Sequence, residues 1–212
     1  MSGSDIFTFI LVASLLVISP GPNGVLIAKT VPTSGRSAGF ANVLGFVTAF
    51  YLHGTMSILG ISLILVQSAT AFTIVKYLGA AYLFWIGINA LISAWRGIET
   101  TAKIKPAARK RTLVIAYFEG FLTNALNPKV SMFYLAAFPQ FITLGDTTVF
   151  ASFTLVFIHS LINAIWFGAM VLFMSRLSLM ARSGRFQRWL KNATGVVFIA
   201  FAAKLAVYKP NV

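Results

Sequence analysis

Six apolar windows, at about residues 6–28, 38–66, 70–95, 112–142, 147–175 and 190–208, account for most of this 212-residue chain. A bilayer core about 30 Å thick takes roughly 20 helical residues, so each window except the last is comfortably long enough to cross it and the last is just sufficient. Composition agrees, with 58% hydrophobic and only 10% charged residues, where soluble domains carry about a quarter charged. The chain therefore reads as an all-α integral membrane protein with six transmembrane helices. It contains no cysteine, which excludes disulfides, thiolate metal sites and thiol redox chemistry. The opening MSGSD holds no basic residue and the run after it lacks a small-residue cleavage site, so the first window is expected to stay as a span rather than be removed as a signal peptide.

Seventeen basic residues against four acidic ones give a net charge of +13. In a soluble chain that excess would suggest nucleic acid; its distribution argues for topology instead. Lys29 and Arg36 follow the first window, Arg96, Lys103, Lys105, Arg109, Lys110 and Arg111 the third, and Arg176, Arg182, Arg185, Arg188 and Lys191 the fifth. The loops after the second and fourth windows carry no lysine or arginine. The odd-numbered loops are thus expected to be cytoplasmic, with both termini on the outer side. Lys204 and Lys209 oppose this only weakly. The clusters face anionic lipid headgroups, and no nucleic-acid partner is expected. Residues 176–191, RLSLMARSGRFQRWLK, read as a basic amphipathic segment on the cytoplasmic surface.

Two windows are interrupted. The first contains SPGPN at 19–23. The fourth has 31 residues and would run about 46 Å as one straight helix, so it must tilt or break. Pro128, in TNALNPKVSM, has no amide hydrogen and clashes with the carbonyl of Asn124. Pro22 and Pro128 are 106 residues apart, as are the two histidines, His53 and His159. GAAYLFWIG from Gly79 matches GVVFIAFAA from Gly195 in character at an offset of 116, which places about ten inserted residues between the fifth and sixth windows. These matches predict a 3+3 repeat: 1–95 and 112–212, joined by a basic cytoplasmic loop at 96–111. Three spans per half make the repeat inverted, a plan in which interrupted helices meet at a ligand near the midplane. Either proline alone reads as a plain kink; the matched pair reads as a site.

SPGPN, the glycine-rich start of the second window, KYLGAAYLFWIGINAL in the third, GFLTNALNPK in the fourth and AAFPQF at its end resemble the LysE/RhtB family of amino-acid exporters over essentially the whole chain. The resemblance implies a multi-pass inner-membrane protein that expels amino acids or close derivatives, by proton antiport in the homoserine/threonine-type branch. FAAKL in the sixth window departs from the glycine-containing run expected there.

An amino acid presents a carboxylate and an ammonium, so its site needs partners for both. The candidate substrate-binding residues are Pro20, Gly21, Pro22 and Asn23 in one half and Asn124, Asn127, Pro128 and Lys129 in the other. The prolines free the carbonyls of Leu16, Ile18 and Asn124, and helix starts offer amides to an anion. The expectation is that those amides with Lys129 receive the carboxylate, and the freed carbonyls with the Asn side chains receive the ammonium. Lys129 could instead snorkel to the outer interface.

Glu119 is the one carboxylate placed well inside a window. It is a proton-coupling candidate, or else an interfacial partner of the 109–111 cluster. His53 ends a ladder of small residues, Ala41, Gly45 and Ala49, that lets helices approach closely. His159 stands one turn before Asn163. Either histidine could relay protons or serve as a hydrogen-bonded structural residue. Without matching carboxylates they make no metal site, and no cofactor is implied. With no GxSxG, no HExxH and no aspartate in a span, the chain is not expected to be an enzyme. The alternative function is an inverted-repeat carrier or channel for an inorganic ion, which would want several intramembrane carboxylates or thiols. The sequence leaves open which amino acid is carried and whether the chain forms a homo-oligomer.

Overall fold

The computed structural model describes residues 3–67, 69–97, 109–141, 148–173 and 184–207. Its elements are α1 (Gly3–Ile18), α2 (Pro22–Gln67), α3 (Ala69–Trp95), α4 (Leu113–Ala125), α5 (Pro128–Met132), a π turn (Phe133–Ala137), a 3-10 turn (Phe138–Phe141), α6 (Thr148–Leu172) and α7 (Gly184–Val207). The described residues contain no strand.

Both interruptions fall where proline dictates. α1 stops at Ile18 and α2 opens on Pro22; α4 stops at Ala125 and α5 opens on Pro128. A first-turn proline is cheap, because that amide has no intrahelical acceptor in any case. α2 continues for 46 residues but turns at Gly35, with φ 83° and ψ 175°, a conformation that a Cβ would strain. That turn separates 22–34 from 36–67 and so divides the first expected span from the second. Pro22–Gly60, Lys76–Trp95 and Val149–Leu172 are long and apolar enough to cross a membrane, while Gly3–Ile18 and Leu113–Ala125 are shorter apolar helices. The two short pieces are the ones that the breaks cut off. α7 reaches back to Gly184, so 184–191 of the basic segment are continuous with the helix of the sixth window. Residues 98–108 of the basic loop and 174–183 lie outside the described residues.

The apolar interior, built around Phe9, Phe46, Phe50, Phe133 and Phe198, also holds a set of polar side chains, while the exterior is apolar too. Leu44, Leu78, Trp95, Val114 and Phe150 are exposed, whereas Asn23, Asn42, His53, Asn124, Asn127, His159 and Asn163 are buried. An apolar exterior around polar side chains suits a surrounding of lipid tails.

Glycine sets the closest helix crossings. A Cβ on Gly45 of α2 would meet backbone atoms of Tyr117 and Phe121 in α4, and one on Gly120 would meet the backbone of Asn42. Asn42 Nδ2 stitches that crossing by donating to Ala116 O at 2.6 Å. α3 meets α7 in the same manner, where a Cβ on Gly87 would lie 2.9 Å from Gly195 O. The ladder ending at His53 thus turns Gly45 toward α4, and the histidine follows it there.

Candidate functional site

At the α1–α2 break, Ser19 N still donates to Leu15 O at 2.9 Å, but Pro20 has no hydrogen for Leu16 O. Two side chains replace it. Ser19 Oγ donates to Leu16 O at 2.9 Å, and Lys129 Nζ, from α5, donates to Leu16 O at 2.8 Å, Ser19 O at 3.0 Å and Ser19 Oγ at 2.9 Å. Gly21 leaves the path open, since a Cβ there would stand 3.0 Å from Nζ. Val25 N donates to Gly21 O at 3.3 Å and closes the first turn of α2. The earlier amides of that turn, on Asn23 and Gly24, have no acceptor within the helix.

The α4–α5 break is closed differently. Asn127 caps α5, its side chain accepting from Lys129 N at 3.1 Å and its carbonyl accepting from Val130 N and Ser131 N at 3.0 Å each. Asn124 O, deprived of an amide by Pro128, accepts from Asn127 N at 3.1 Å and bonds His53 Nε2 at 3.2 Å. Because a carbonyl can only accept, Nε2 carries the hydrogen. The two breaks are joined directly: Asn23 Nδ2 donates to Asn124 Oδ1 at 3.0 Å, and Asn124 Nδ2 donates to Phe46 O at 2.8 Å.

Tyr134, in the π turn, stacks between the histidines, its ring centre 5.7 Å from that of His53 and 5.6 Å from that of His159. His159 is fully buried against Phe50 and the edges of Phe9 and Phe133. Neither of its nitrogens has a hydrogen-bond partner, and Tyr134 OH, Asn23 Oδ1, Ser160 Oγ and Asn163 Oδ1 are buried and unpaired as well. The assembled group offers hydrogen-bond acceptors at the end of α1 beside uncommitted amides at the start of α2, which are the partners that the two poles of a zwitterion require.

Residues 14–209 match the LysE type translocator family. The chain belongs to that family. It is 30% identical to the membrane protein YrhP of Bacillus subtilis strain 168 over 94% of this chain and 97% of that one. It is 28% identical to the leucine efflux protein of Klebsiella pneumoniae, over 94% and 93% of the two chains. It is also 24% identical to the threonine efflux protein of Escherichia coli K12, over 94% and 96%. No solved structure matches.

In this LysE type translocator the residues singled out from sequence at the two prolines converge, and Asn23, Asn124, Asn127, Lys129 and His53 join one network. The Lys129 ammonium donates to the carbonyl end of α1, next to Gly21 just before the first turn of α2. Glu119 stays apart from the network, its Oε1 2.7 Å from Arg111 Nε with both side chains about a third exposed; Arg111 N in turn donates to Ser34 Oγ at 2.9 Å. This is the pairing with the 109–111 cluster, one of the two alternatives for Glu119. Among the described residues no three His, Asp or Glu side chains come together as metal ligands. Sequence reasoning missed Ser19 and Tyr134. Ser19 was visible as a hydroxyl next to a broken helix end, whereas Tyr134 in an apolar window carries no signal that separates it from a packing aromatic.

Proposed function

We propose that this translocator exports amino acids or close derivatives from the cytoplasm across the inner membrane, in exchange for protons. The observation that carries the reading is the junction of two broken helices, joined through buried Asn23 and Asn124, where Lys129 occupies the freed carbonyls at the end of α1 next to a first turn of α2 whose amides lack an intrahelical acceptor. The names of its leucine and threonine efflux relatives point to the same cargo. Asn23 N and Gly24 N receive the carboxylate, and Leu16 O, Ser19 and Asn23 Oδ1 receive the ammonium. Pro20, Gly21, Pro22, Asn127 and Pro128 keep the backbone open, and Asn124 fixes the distance between the halves.

In this reading the six spans form a 3+3 inverted repeat with both termini outside. Its support is that two helices 106 residues apart in register each break and restart on a proline, and that α3 and α7, third in their halves, cross glycine to glycine. The Arg109 to Arg111 stretch then marks the cytoplasmic side. The purified chain in proteoliposomes loaded with labelled threonine, leucine or other amino acids should release at least one of them faster than protein-free vesicles under an inward proton gradient. Inserted protein that moves none of a full panel refutes the proposal.

A further inference from the structure

We infer that Lys129 is the proton-carrying residue of the exchange, and that its ammonium competes with the ammonium of the substrate for one set of acceptors: Leu16 O, Ser19 O and Ser19 Oγ. The inference rests on the proposed amino-acid export. Three acceptors lie 2.8 to 3.0 Å from one nitrogen. A protonated amine has three hydrogens to give and no lone pair, so it satisfies all three; a neutral amine has two hydrogens and a lone pair, and keeps the third contact only if the Ser19 hydroxyl leaves Leu16 O and donates to the amine instead. Holding the acceptors and holding the proton are therefore linked. None of the three acceptors carries a formal charge, so the positive charge is held by the carbonyl end of α1 alone. The α-ammonium of an amino acid has the same three hydrogens and suits the same acceptors. Both cannot sit there, because Nζ already fills the space down to the Cα of Gly21.

The exchange then follows without a further group. In the cytoplasm-facing state an N–H bond of Lys129 breaks, the proton passes to water on that side, and the neutral amine withdraws. The substrate ammonium takes its place. In the outward-facing state the substrate leaves, Nζ forms a new N–H bond with a proton from the outer water, and the acceptors are reclaimed. One cation replaces another at each turn, so the site is never left with three unpaired acceptors. The buried titratable side chains on the elements around the junction are His53 of α2, Tyr134 of the π turn and His159 of α6; the same elements also carry Asp5 on α1, Lys29, Arg36 and Tyr51 on α2, and Tyr117 on α4. None of them bonds Lys129: His53 is committed to Asn124 O, and His159 has no hydrogen-bond partner. Glu119 of α4 is held by Arg111.

The test uses the whole purified chain with L-threonine and L-leucine as probes. Adding the transported amino acid to wild-type protein in weakly buffered detergent solution should release about one proton per molecule bound, as exchange of one ammonium for another demands. Lys129→Arg keeps hydrogen bonds to the carbonyls but does not give up its proton, so it should remain folded and lose both proton release and accumulation driven by a pH gradient. Lys129→Met should lose both as well, whatever it does to stability. Binding without proton release in the wild type overturns the inference, as does a Lys129→Arg protein that still exchanges protons for substrate at the wild-type ratio. Failure of the wild type to move any amino acid would sink the export reading itself, a result distinct from either.

Discussion

At Leu126–Asn127 the loose ends of a broken helix are tied off close at hand, by the Asn127 cap and by His53 from the packed neighbour α2. At Ser19–Gly21 they are tied off by a cation reaching over from α5. The sequence pattern makes the two breaks equivalent, yet position 127 has a capping side chain where its counterpart, Gly21, has none. One break is thus complete within its own neighbourhood. The other is closed by a charged side chain, and in the proposed exchange that difference makes the α1–α2 break the working half of the junction.

The bond between the breaks tests this contrast most severely. Asn124→Leu keeps the volume but leaves Asn23 Nδ2 buried without a partner and removes the side-chain donor from Phe46 O, which keeps its helical amide. At about 1 to 3 kcal/mol for the one orphaned group plus the lost bond, the loss should be about 3 kcal/mol. Thermal unfolding in detergent measures it, and a change below about 1 kcal/mol would mean that the halves do not depend on each other through this side chain. The histidines sharpen the point, since sequence spacing pairs them and their surroundings do not. His53→Leu removes a donor from Asn124 O and should cost about 1 to 2 kcal/mol. His159→Leu replaces an unpartnered ring in an aromatic nest and should be neutral or stabilising. Equal losses in the two variants would restore the symmetry that the structure denies.

Sequence spacing located both helix breaks, because a missing proline amide acts locally whatever surrounds it. It also brought forward Asn23, Asn124, Asn127 and Lys129, since polar groups beside unwound backbone in lipid have few other uses. Direction was not legible. Whether Lys129 meets amides or carbonyls depends on how α5 lies against α1, and a repeat offset says nothing of that tilt. The two alternatives for Glu119 could not be separated for a related reason: it stands eight residues from Arg111, about two turns, and the reach of an arginine across them depends on side-chain conformation that a span boundary does not contain. The turn at Gly35 falls in the expected loop between the first two windows, but its φ was not legible, as a lone glycine in a basic loop announces no particular φ.

Asn127→Ala probes the self-sufficient break alone. It removes the side chain that accepts from Lys129 N and should cost about 1 kcal/mol, the usual worth of a helix N-cap. Because Lys129 Nζ reaches α1 independently of that cap, proton release on substrate binding should persist. Its loss would show that the two breaks act as one unit and not as a fixed half and an exchanging half.

The smallest effect is expected outside the junction. Glu119→Gln leaves the shape of α4 unchanged and removes a carboxylate whose partner, Arg111, is itself partly open to solvent. Pairs of this kind contribute less than about 1 kcal/mol, reduced further by salt. Arg111 would keep its backbone bond to Ser34 Oγ and its side-chain bond to Arg109 O, so the α2–α4 register should survive. The informative measurement is the ratio of protons to amino acid moved in proteoliposomes. A wild-type ratio in Glu119→Gln leaves the exchange at the α1–α2 break, where the acceptors are. A ratio that falls toward zero while the fold is intact would move proton coupling to the interface and reduce Lys129 to a structural bridge.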